Sequence, residues 1–222
     1  EFKVGTSKIT FTENQLHRIV LEYGEAIMHI QFIYNSYLKN TPWDIDFELD
    51  LSKPGKVLTP QEHYLIGNEL QRNGIKLSSI CLDPLKDAEA VNDNLQLHCE
   101  IADTFGYRLS FKNADIAMED TAAAMKYLKG KVHFKMNNIL WMSAIELAKA
   151  LDADLFGKLC AACGCEPTAD AADRALVLGY RKALNPKEEG NVAADMKAFL
   201  EAHHAEYAAA IKENVAAKLK NI

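Results

Sequence analysis

Hydrophobic residues recur at helical spacing from Leu16 to Tyr37, which predicts a long first helix. Thr12 and Gln15 have the spacing of a capping box at its start, and Asn40-Thr41-Pro42 ends it. The next segment, from Asp44 to Leu51, alternates strictly between acidic and apolar residues. A period of two places the two kinds of residue on opposite faces of a strand. This segment is therefore predicted to be a strand with one buried face and one acidic face.

Three more strand predictions follow, each preceded by a helical pattern. Thr59 and Glu62 form a second capping box around Pro60, and the helix that they begin ends at Gly74. Further strands are predicted at 75–82, 107–111 and 131–136, and further helices at 88–105 and 119–128. This rhythm is typical of parallel βα units with right-handed crossovers, which form either half of an eight-fold barrel or a small open sheet. The predicted fold class is α/β, a partial TIM-barrel-like domain over residues 1–150.

The rest of the chain is predicted to be helical. From Trp141 onward the pattern contains only helices, and the last one runs from Val192 to Leu219 with many alanines. Residues 151–222 are therefore predicted to form a C-terminal helical extension that packs on the βα domain.

Composition excludes several function classes. The 222 residues are 49% hydrophobic, enough for a substantial core, and the net charge of -6 offers no basic surface for nucleic acid. No window approaches the roughly 18 to 20 apolar residues of a membrane span, and no secretion leader is recognisable. We expect a cytoplasmic protein with no nucleic-acid or membrane partner.

Cysteine usage agrees with that location. The chain has 5 cysteines, and Cys160, Cys163 and Cys165 crowd together at the end of a helical pattern, unlike a secreted disulfide framework. Their spacing resembles that of metal ligands, but a structural zinc needs four ligands and no fourth is evident. A cluster of reduced thiols is the preferred interpretation. The alternative is that His203 or His204 folds back to complete a site.

Four runs of sequence, taken in order, resemble the later half of the tagaturonate epimerases. The resemblance covers about residues 9–160. It implies a barrel enzyme that uses a divalent metal, such as zinc, manganese or nickel, to interconvert two keto-uronates by moving a proton at carbon. The runs that carry it are FTENQLHRIVLEYGEAI, LTPQEHYLIGNELQRNGI, LQLHCEIADTFGYRLS and KVHFKMNNILWMSAIELAKALDADLF.

The sequence departs from the family where strands end. The family has a His-Ser-Gly-Ser-Asp-Lys loop after the third strand, whereas residues 111–116 here keep only Asp115. An Asp-Glu pair of the family aligns with Ser52 and Lys53, and a long loop with an arginine is shortened to Leu82-Asp83-Pro84. Active sites of parallel barrels lie at the carboxyl ends of their strands, so the resemblance covers the scaffold more fully than the site.

His133 and Lys135 are the first candidates for a site. They share one face of the predicted fourth strand. Neutral imidazole suits a divalent metal and a lysine suits a uronate carboxylate, so His133 is the predicted metal ligand. Lys135 is assigned to catalysis and, with Asn137, to substrate binding. The alternative is a polar strand face open to solvent or to a partner.

The other candidates are weighed against structural roles. Glu62 is a candidate acid–base residue and His63 a second metal ligand, although Glu62 already serves in a capping box. Asp115 is kept as a catalytic candidate because it survives in the family's loop. The acidic face that begins at Asp44 suits either a cation or solvent, and solvent is preferred.

The function predicted from the sequence is that of a divergent sugar-acid epimerase or isomerase, with metal-assisted proton transfer in an active form. Its ligand would be a small sugar acid. The alternative is an inactive relative that serves as a binding or assembly module. In either case we expect a homodimer, because a half-barrel leaves apolar edges that a second copy can cover.

Overall fold

Two compact units make up the chain, Glu1–Lys135 and Met136–Ile222. The computed structural model describes residues 1–51, 56–83, 91, 93–117, 126–127, 129, 131–170 and 173–220. The boundary between the units lies before the predicted position at 150. It falls there because the helix that begins at Asn138 packs against the later helices of the second unit.

The first unit begins with an antiparallel hairpin that the sequence pattern did not reveal. Strand β1 (Phe2–Val4) pairs with β2 (Ser7–Ile9), and the turn between them contains Gly5 in a left-handed conformation, φ 50°. The Glu100 carboxylate accepts hydrogen bonds from the Thr6 hydroxyl at 2.6 Å and from the Ser7 N–H at 3.1 Å. The hairpin is thereby tied to a helix that follows much later in the chain.

Both predicted capping boxes are confirmed. Helix α1 (Glu13–Ile33) starts with reciprocal bonds between Thr12 and Gln15, and a π-helical turn (Tyr34–Leu38) extends it. Helix α2 (Pro60–Arg72) starts with the same arrangement at Thr59. Two further helices of this unit are α3 (Leu95–Phe105) and the short α4 (Ala114–Ala117). The predicted helix at 119–128 lies almost entirely outside the described residues.

Four parallel strands form the sheet of the first unit, and they lie in sequential order. They are β3 (Glu48–Asp50), β4 (Ser79–Leu82), β5 (Arg108–Phe111) and β6 (Val132–Phe134). Each is shorter than predicted. The regular alternation from Asp44 was misleading, because only its last residues pair with a neighbouring strand and Ile45 remains 48% exposed.

The register of the strands separates an apolar face from a polar face. Leu49, Ile80 and Leu109 lie side by side, and all three are buried in the core with side chains of α1, α2 and α3. The neighbouring register row, Asp50, Cys81, Ser110 and His133, faces the other way because side chains alternate along a strand. The core therefore lies between the sheet and its helices.

The second unit consists of helices. They are α5 (Asn138–Leu151), α6 (Ala153–Cys163), α7 (Arg174–Ala183), α8 (Ala193–Ala202) and α9 (His204–Leu219). The prediction of one continuous helix from Val192 to Leu219 was wrong, because His203 has φ -115° and ψ 34° and separates α8 from α9. None of the helices in the described part of the chain is both long and apolar enough to cross a membrane.

Candidate functional site

Charged side chains collect on the polar face of the parallel sheet. Glu48 and Asp50 come from β3, at one edge, and His133 comes from β6, at the other edge. Lys112 and Lys135 directly follow β5 and β6, at the carboxyl ends of the strands. We refer to these five residues as the charged face.

An ion pair spans the charged face from one edge to the other. The Lys135 ammonium pairs with the Glu48 carboxylate, and both side chains are about three-quarters buried. Glu48 also accepts a hydrogen bond from the Ser79 hydroxyl at 2.8 Å, and the Lys135 nitrogen lies 3.8 Å from the Cys81 sulfur. The ion pair therefore lies above β4, between the two edge strands.

This environment favours the charged forms of both partners. Burial raises the pKa of the Glu48 carboxyl, but hydrogen bonds from Lys135 and Ser79 outweigh burial and hold the pKa below its usual value. Burial lowers the pKa of Lys135, but its hydrogen bond to Glu48 reverses the effect, so that the pKa is raised. Burial raises the pKa of the neighbouring Cys81 thiol more than Lys135 lowers it. Cys81 is consequently a neutral thiol beside a charged pair.

A second ion pair lies further along the strands. Lys112 pairs with Asp50, and this hydrogen bond raises the pKa of Lys112 above its ordinary value. Asn113 follows in a left-handed conformation, φ 52°, and donates a hydrogen bond to Asp83 at 3.0 Å. The two lysines and two carboxylates balance in charge, so a ligand carboxylate must compete with Glu48 or Asp50 for an ammonium group.

His133 lies on the charged face but has few potential co-ligands there. Its side chain is exposed, and Ser110 is its partner in the strand register. Across the described ranges, no group of three or more His, Cys, Asp or Glu side chains is arranged to hold a metal ion. The described residues therefore do not form a metal site on their own, and the assignment of His133 to a metal stays a prediction.

Glu62 holds the start of α2 and the preceding loop. One carboxylate oxygen accepts a hydrogen bond from the Thr59 N–H at 2.8 Å, and the other lies 2.5 Å from the Lys56 ammonium. Lys56 also lies 2.7 Å from Glu22 of α1, and its nitrogen is 5.5 Å from the centre of the Tyr23 ring. Glu62 is fully buried, and its contacts with Thr59 and Lys56 give it a structural role. Its assignment as a catalytic residue stays a prediction.

His63 belongs to a buried aromatic cluster between α2 and α3. Its Nδ1 atom lies 2.9 Å from Nδ1 of His98, and its Nε2 atom lies 2.9 Å from the Tyr107 hydroxyl. Burial lowers the pKa of both histidines, to about 4 for His98. No contact of the described residues joins His63 to His133, so the two predicted metal ligands are not brought together.

The remaining predicted residues are located as follows. Asp115 is 2% exposed and lies in α4, just after β5. Asn137 lies in the second unit, immediately before α5, and its side chain makes no capping bond to that helix. Ser52 and Lys53, which were predicted to align with the family's Asp-Glu pair, lie outside the described residues.

Both carboxylates of β3 have a role that the sequence pattern did not predict. The alternation of Asp44 to Leu51 identified an acidic face, and solvent was the preferred explanation for it. The structure pairs Glu48 with Lys135 and Asp50 with Lys112 instead. The sequence does contain a signal for these ion pairs. One lysine directly follows β5 and another directly follows β6, at the edge of the sheet where the carboxyl ends of the strands meet.

Comparison with known proteins identifies the family. Residues 1–205 match the family described as UxaE, tagaturonate epimerase. The chain belongs to the tagaturonate epimerase family. The tagaturonate/fructuronate epimerase of Thermotoga maritima is 25% identical over 170 residues, which cover 72% of this chain and 35% of that protein.

Crystal structures of another tagaturonate epimerase share the fold. The glycerol complex of the fructuronate-tagaturonate epimerase UxaE from Cohnella laeviribosi superposes with a TM-score of 0.81 at 21% identity. The native structure of the same enzyme gives 0.79 at 20% identity. Each comparison covers 99% of this chain and 54% of the other, so the chain spans about half the length of the solved relative.

Proposed function

We propose that the charged face is the sugar-acid site of an epimerase that inverts one carbon of a keto-uronate. The Lys135–Glu48 ion pair carries this proposal. An ammonium group held three-quarters buried at the carboxyl end of parallel strands is suited to bind a carboxylate, and binding sites of such sheets lie at that end. The family of the chain supplies the reaction class.

The roles of the residues follow from their partners. The uronate carboxylate binds Lys135, displacing Glu48 from the ammonium group. Glu48, whose pKa is held low while it is paired, then becomes a stronger base close to the bound sugar. Lys112 and Asp50 offer a second cation and a second base on the same face. Removal of a proton and its return from the opposite side need two such groups.

A divalent metal is a separate part of the proposal. His133 is the residue of the charged face that would ligate zinc, manganese or nickel, and a bound metal would polarise the sugar's keto group. Because the described residues do not form a complete metal site, we assign no step of proton transfer to the metal.

The proposal is tested by following tagaturonate and fructuronate by proton NMR after addition of the chain, with and without each metal. We expect slow interconversion, and a Kd for the uronate that rises about tenfold or more in Lys135→Met, because one charged hydrogen bond is lost. Lys76→Met, which changes an exposed lysine away from this face, is the matched control. Absence of both binding and interconversion under every metal condition would refute the proposal.

A second candidate function is a dimeric assembly module, and the surface of α1 favours it. Leu16, Val20, Met28 and Phe32 of α1 are 37 to 62% exposed, and a groove of about 610 Å³ runs between α1 and α2. In the described part of the sheet, β3 and β6 each have a neighbour on one side only. A second copy can cover the same apolar surface symmetrically.

Sedimentation equilibrium distinguishes the module from the enzyme. We expect Met28→Lys to dissociate the dimer. The control is Leu178→Lys, at a 47% exposed position of α7, which should leave the dimer intact. A monomer that binds uronate supports the enzyme alone. A dimer that binds no uronate supports the module alone.

A further inference from the structure

A hydrogen-bonded turn at the end of α6 brings two cysteines together. Gly164 adopts a left-handed conformation, φ 72°, and its N–H donates to the Ala161 carbonyl at 3.1 Å. The N–H of Cys165 donates to the Cys160 carbonyl at 2.8 Å. These two bonds define a Schellman motif, in which the side chain after the glycine contacts the helix one turn back. Cys165 and Cys160 are the residues at these two positions here, and the Cys165 sulfur lies 3.9 Å from the Cys163 carbonyl oxygen.

The backbone spacing of this pair suits a disulfide. The α-carbon of Cys165 lies about 1.5 Å from its own N atom, and that of Cys160 lies about 2.4 Å from its own O atom. The 2.8 Å hydrogen bond between these two atoms therefore limits the separation of the α-carbons to at most about 6.7 Å. Disulfides join α-carbons about 4.4 to 6.8 Å apart. Burial first, and then the nearby Cys165 thiol, raise the pKa of Cys160. The backbone separation of Cys160 and Cys165 therefore lies within the range that a disulfide requires.

Cys163 is held in a different direction. Its sulfur lies 3.8 Å from the Leu176 carbonyl of α7. A methyl group placed on Gly179, also in α7, would lie 3.0 Å from both the Cβ and the Sγ atoms of Cys163. Cys163 thus fills the space between two helices. Within the described ranges the three thiols do not form a metal-binding group, so ion binding does not explain their proximity.

We propose that Cys160 and Cys165 form a reversible disulfide that locks the end of α6, while Cys163 remains a thiol. The oxidant is a small disulfide of the glutathione class. The Cys165 thiolate attacks one sulfur of that disulfide, which forms a mixed disulfide and releases one small thiol. The Cys160 thiolate then attacks the Cys165 sulfur and releases the second small thiol. Two protein thiols are oxidised and one small disulfide is reduced.

The order of attack follows from accessibility. Cys165 is partly exposed, whereas Cys160 is fully buried. Burial raises the pKa of all three thiols, to about 11 for Cys163, so each is mostly protonated near neutral pH. Because the thiolate is the attacking form, oxidation becomes faster as pH rises.

The full chain treated with oxidised glutathione at about pH 8.5 tests the proposal. Thiols are then counted under denaturing conditions and masses are measured. We expect loss of two of the 5 thiols and a mass lower by about 2 Da, confined to the tryptic peptide of residues 159–174. Cys163→Ser should lose two thiols in the same way. Cys165→Ser should form no internal disulfide, and reductant should restore the wild type.

Each other outcome overturns the proposal. An internal disulfide in Cys165→Ser would place the bond at Cys160 and Cys163. A lasting glutathione adduct on the wild type would show that Cys160 does not reach Cys165. Unchanged thiols in the wild type, with Cys165 still open to a small alkylating reagent, would show that the exchange does not occur. None of these measurements depends on epimerase activity.

Discussion

Lys135, at the end of β6, forms an ion pair with Glu48 of β3, although β4 and β5 lie between these two strands. Strands in a sheet lie about 4.8 Å apart, so β3 and β6 of a flat sheet would be separated by roughly 14 Å. Both side chains must therefore lean toward the middle of the sheet, where Ser79 and Cys81 contact them. The Lys135–Glu48 ion pair is therefore largely buried against the middle of the sheet and is not an exposed surface ion pair.

This arrangement predicts a measurable coupling between Glu48 and Lys135. We expect Glu48→Gln and Lys135→Met each to lower the free energy of unfolding by about 1 to 3 kcal/mol, and the double variant to lower it by less than the sum. Urea titrations give the three values. Arg72→Met, which breaks the exposed Arg72–Glu69 pair of 2.6 Å, should change stability by no more than about 0.5 kcal/mol. Additive effects at Glu48 and Lys135 would contradict the coupling.

The same pair predicts a range of pH over which it stabilises the fold. The pKa of Glu48 is lowered on folding, so its contribution is present above the ordinary value of 4.5 and is lost as pH falls through the folded value. The pKa of Lys135 is raised, so its contribution is lost only as pH rises above 10.5. Urea midpoints measured from acid to alkaline pH should show Glu48→Gln differing from wild type least at low pH. A difference that grows on acidification would contradict this assignment.

The histidines between α2 and α3 predict a second, separate pH effect. His98 has an ordinary pKa of 6.5 that falls to about 4 on folding, so the unfolded chain binds more protons between these values. Stability should therefore fall by roughly 3 kcal/mol from pH 6.5 to about 4 through this residue. His98→Gln should reduce the slope of unfolding free energy against pH. An unchanged slope in the variant would exclude His98 as the titrating group.

Features of the fold that depend on nearby residues could be predicted from the sequence, whereas features that depend on distant contacts could not. The capping boxes at Thr12 and Thr59 were predicted correctly because they depend on neighbouring residues. The parallel pairing of the strands was predicted because a helical segment separates each strand from the next. The hairpin at β1 and β2 was missed because its strands are only three residues long and are secured by the distant Glu100. Short strands with long-range anchors leave little local periodicity.

Candidate site residues were harder to predict than elements. His133 and Lys135 were placed on one strand face by alternation alone, but the partners of Lys135 come from β3 and β4, tens of residues earlier. Likewise, Glu62 and His63 are adjacent in sequence, yet one contacts Lys56 and the other contacts His98. Chemical type and spacing identify candidate residues, whereas their roles depend on which distant side chains the fold brings to them.

Lys56 is expected to stabilise the loop before α2 through its two ion pairs. Its ammonium group lies between Glu22 and the fully buried Glu62, so Lys56→Met leaves a buried carboxylate with less compensation. We expect a loss of about 1 to 3 kcal/mol in unfolding free energy. Adding Glu62→Gln to Lys56→Met should recover part of the loss, because the amide oxygen can still cap the helix without a buried charge. A further loss in the double variant would contradict this explanation.

Gly67 of α2 packs closely against the segment that joins α3 to β5. A Cβ atom there would lie 2.6 Å from the Phe105 ring and 2.7 Å from the Tyr107 hydroxyl, and both aromatic side chains are packed in the core. Gly67→Ala should therefore destabilise the protein by about 1 to 3 kcal/mol, although alanine is the better helix former. Gly24→Ala in α1 is the matched control, since its Cβ would meet nothing within 4 Å. That variant should gain about 0.5 to 1 kcal/mol. Thermal unfolding measures both, and a stabilised Gly67→Ala would show that Phe105 moves aside without loss of packing.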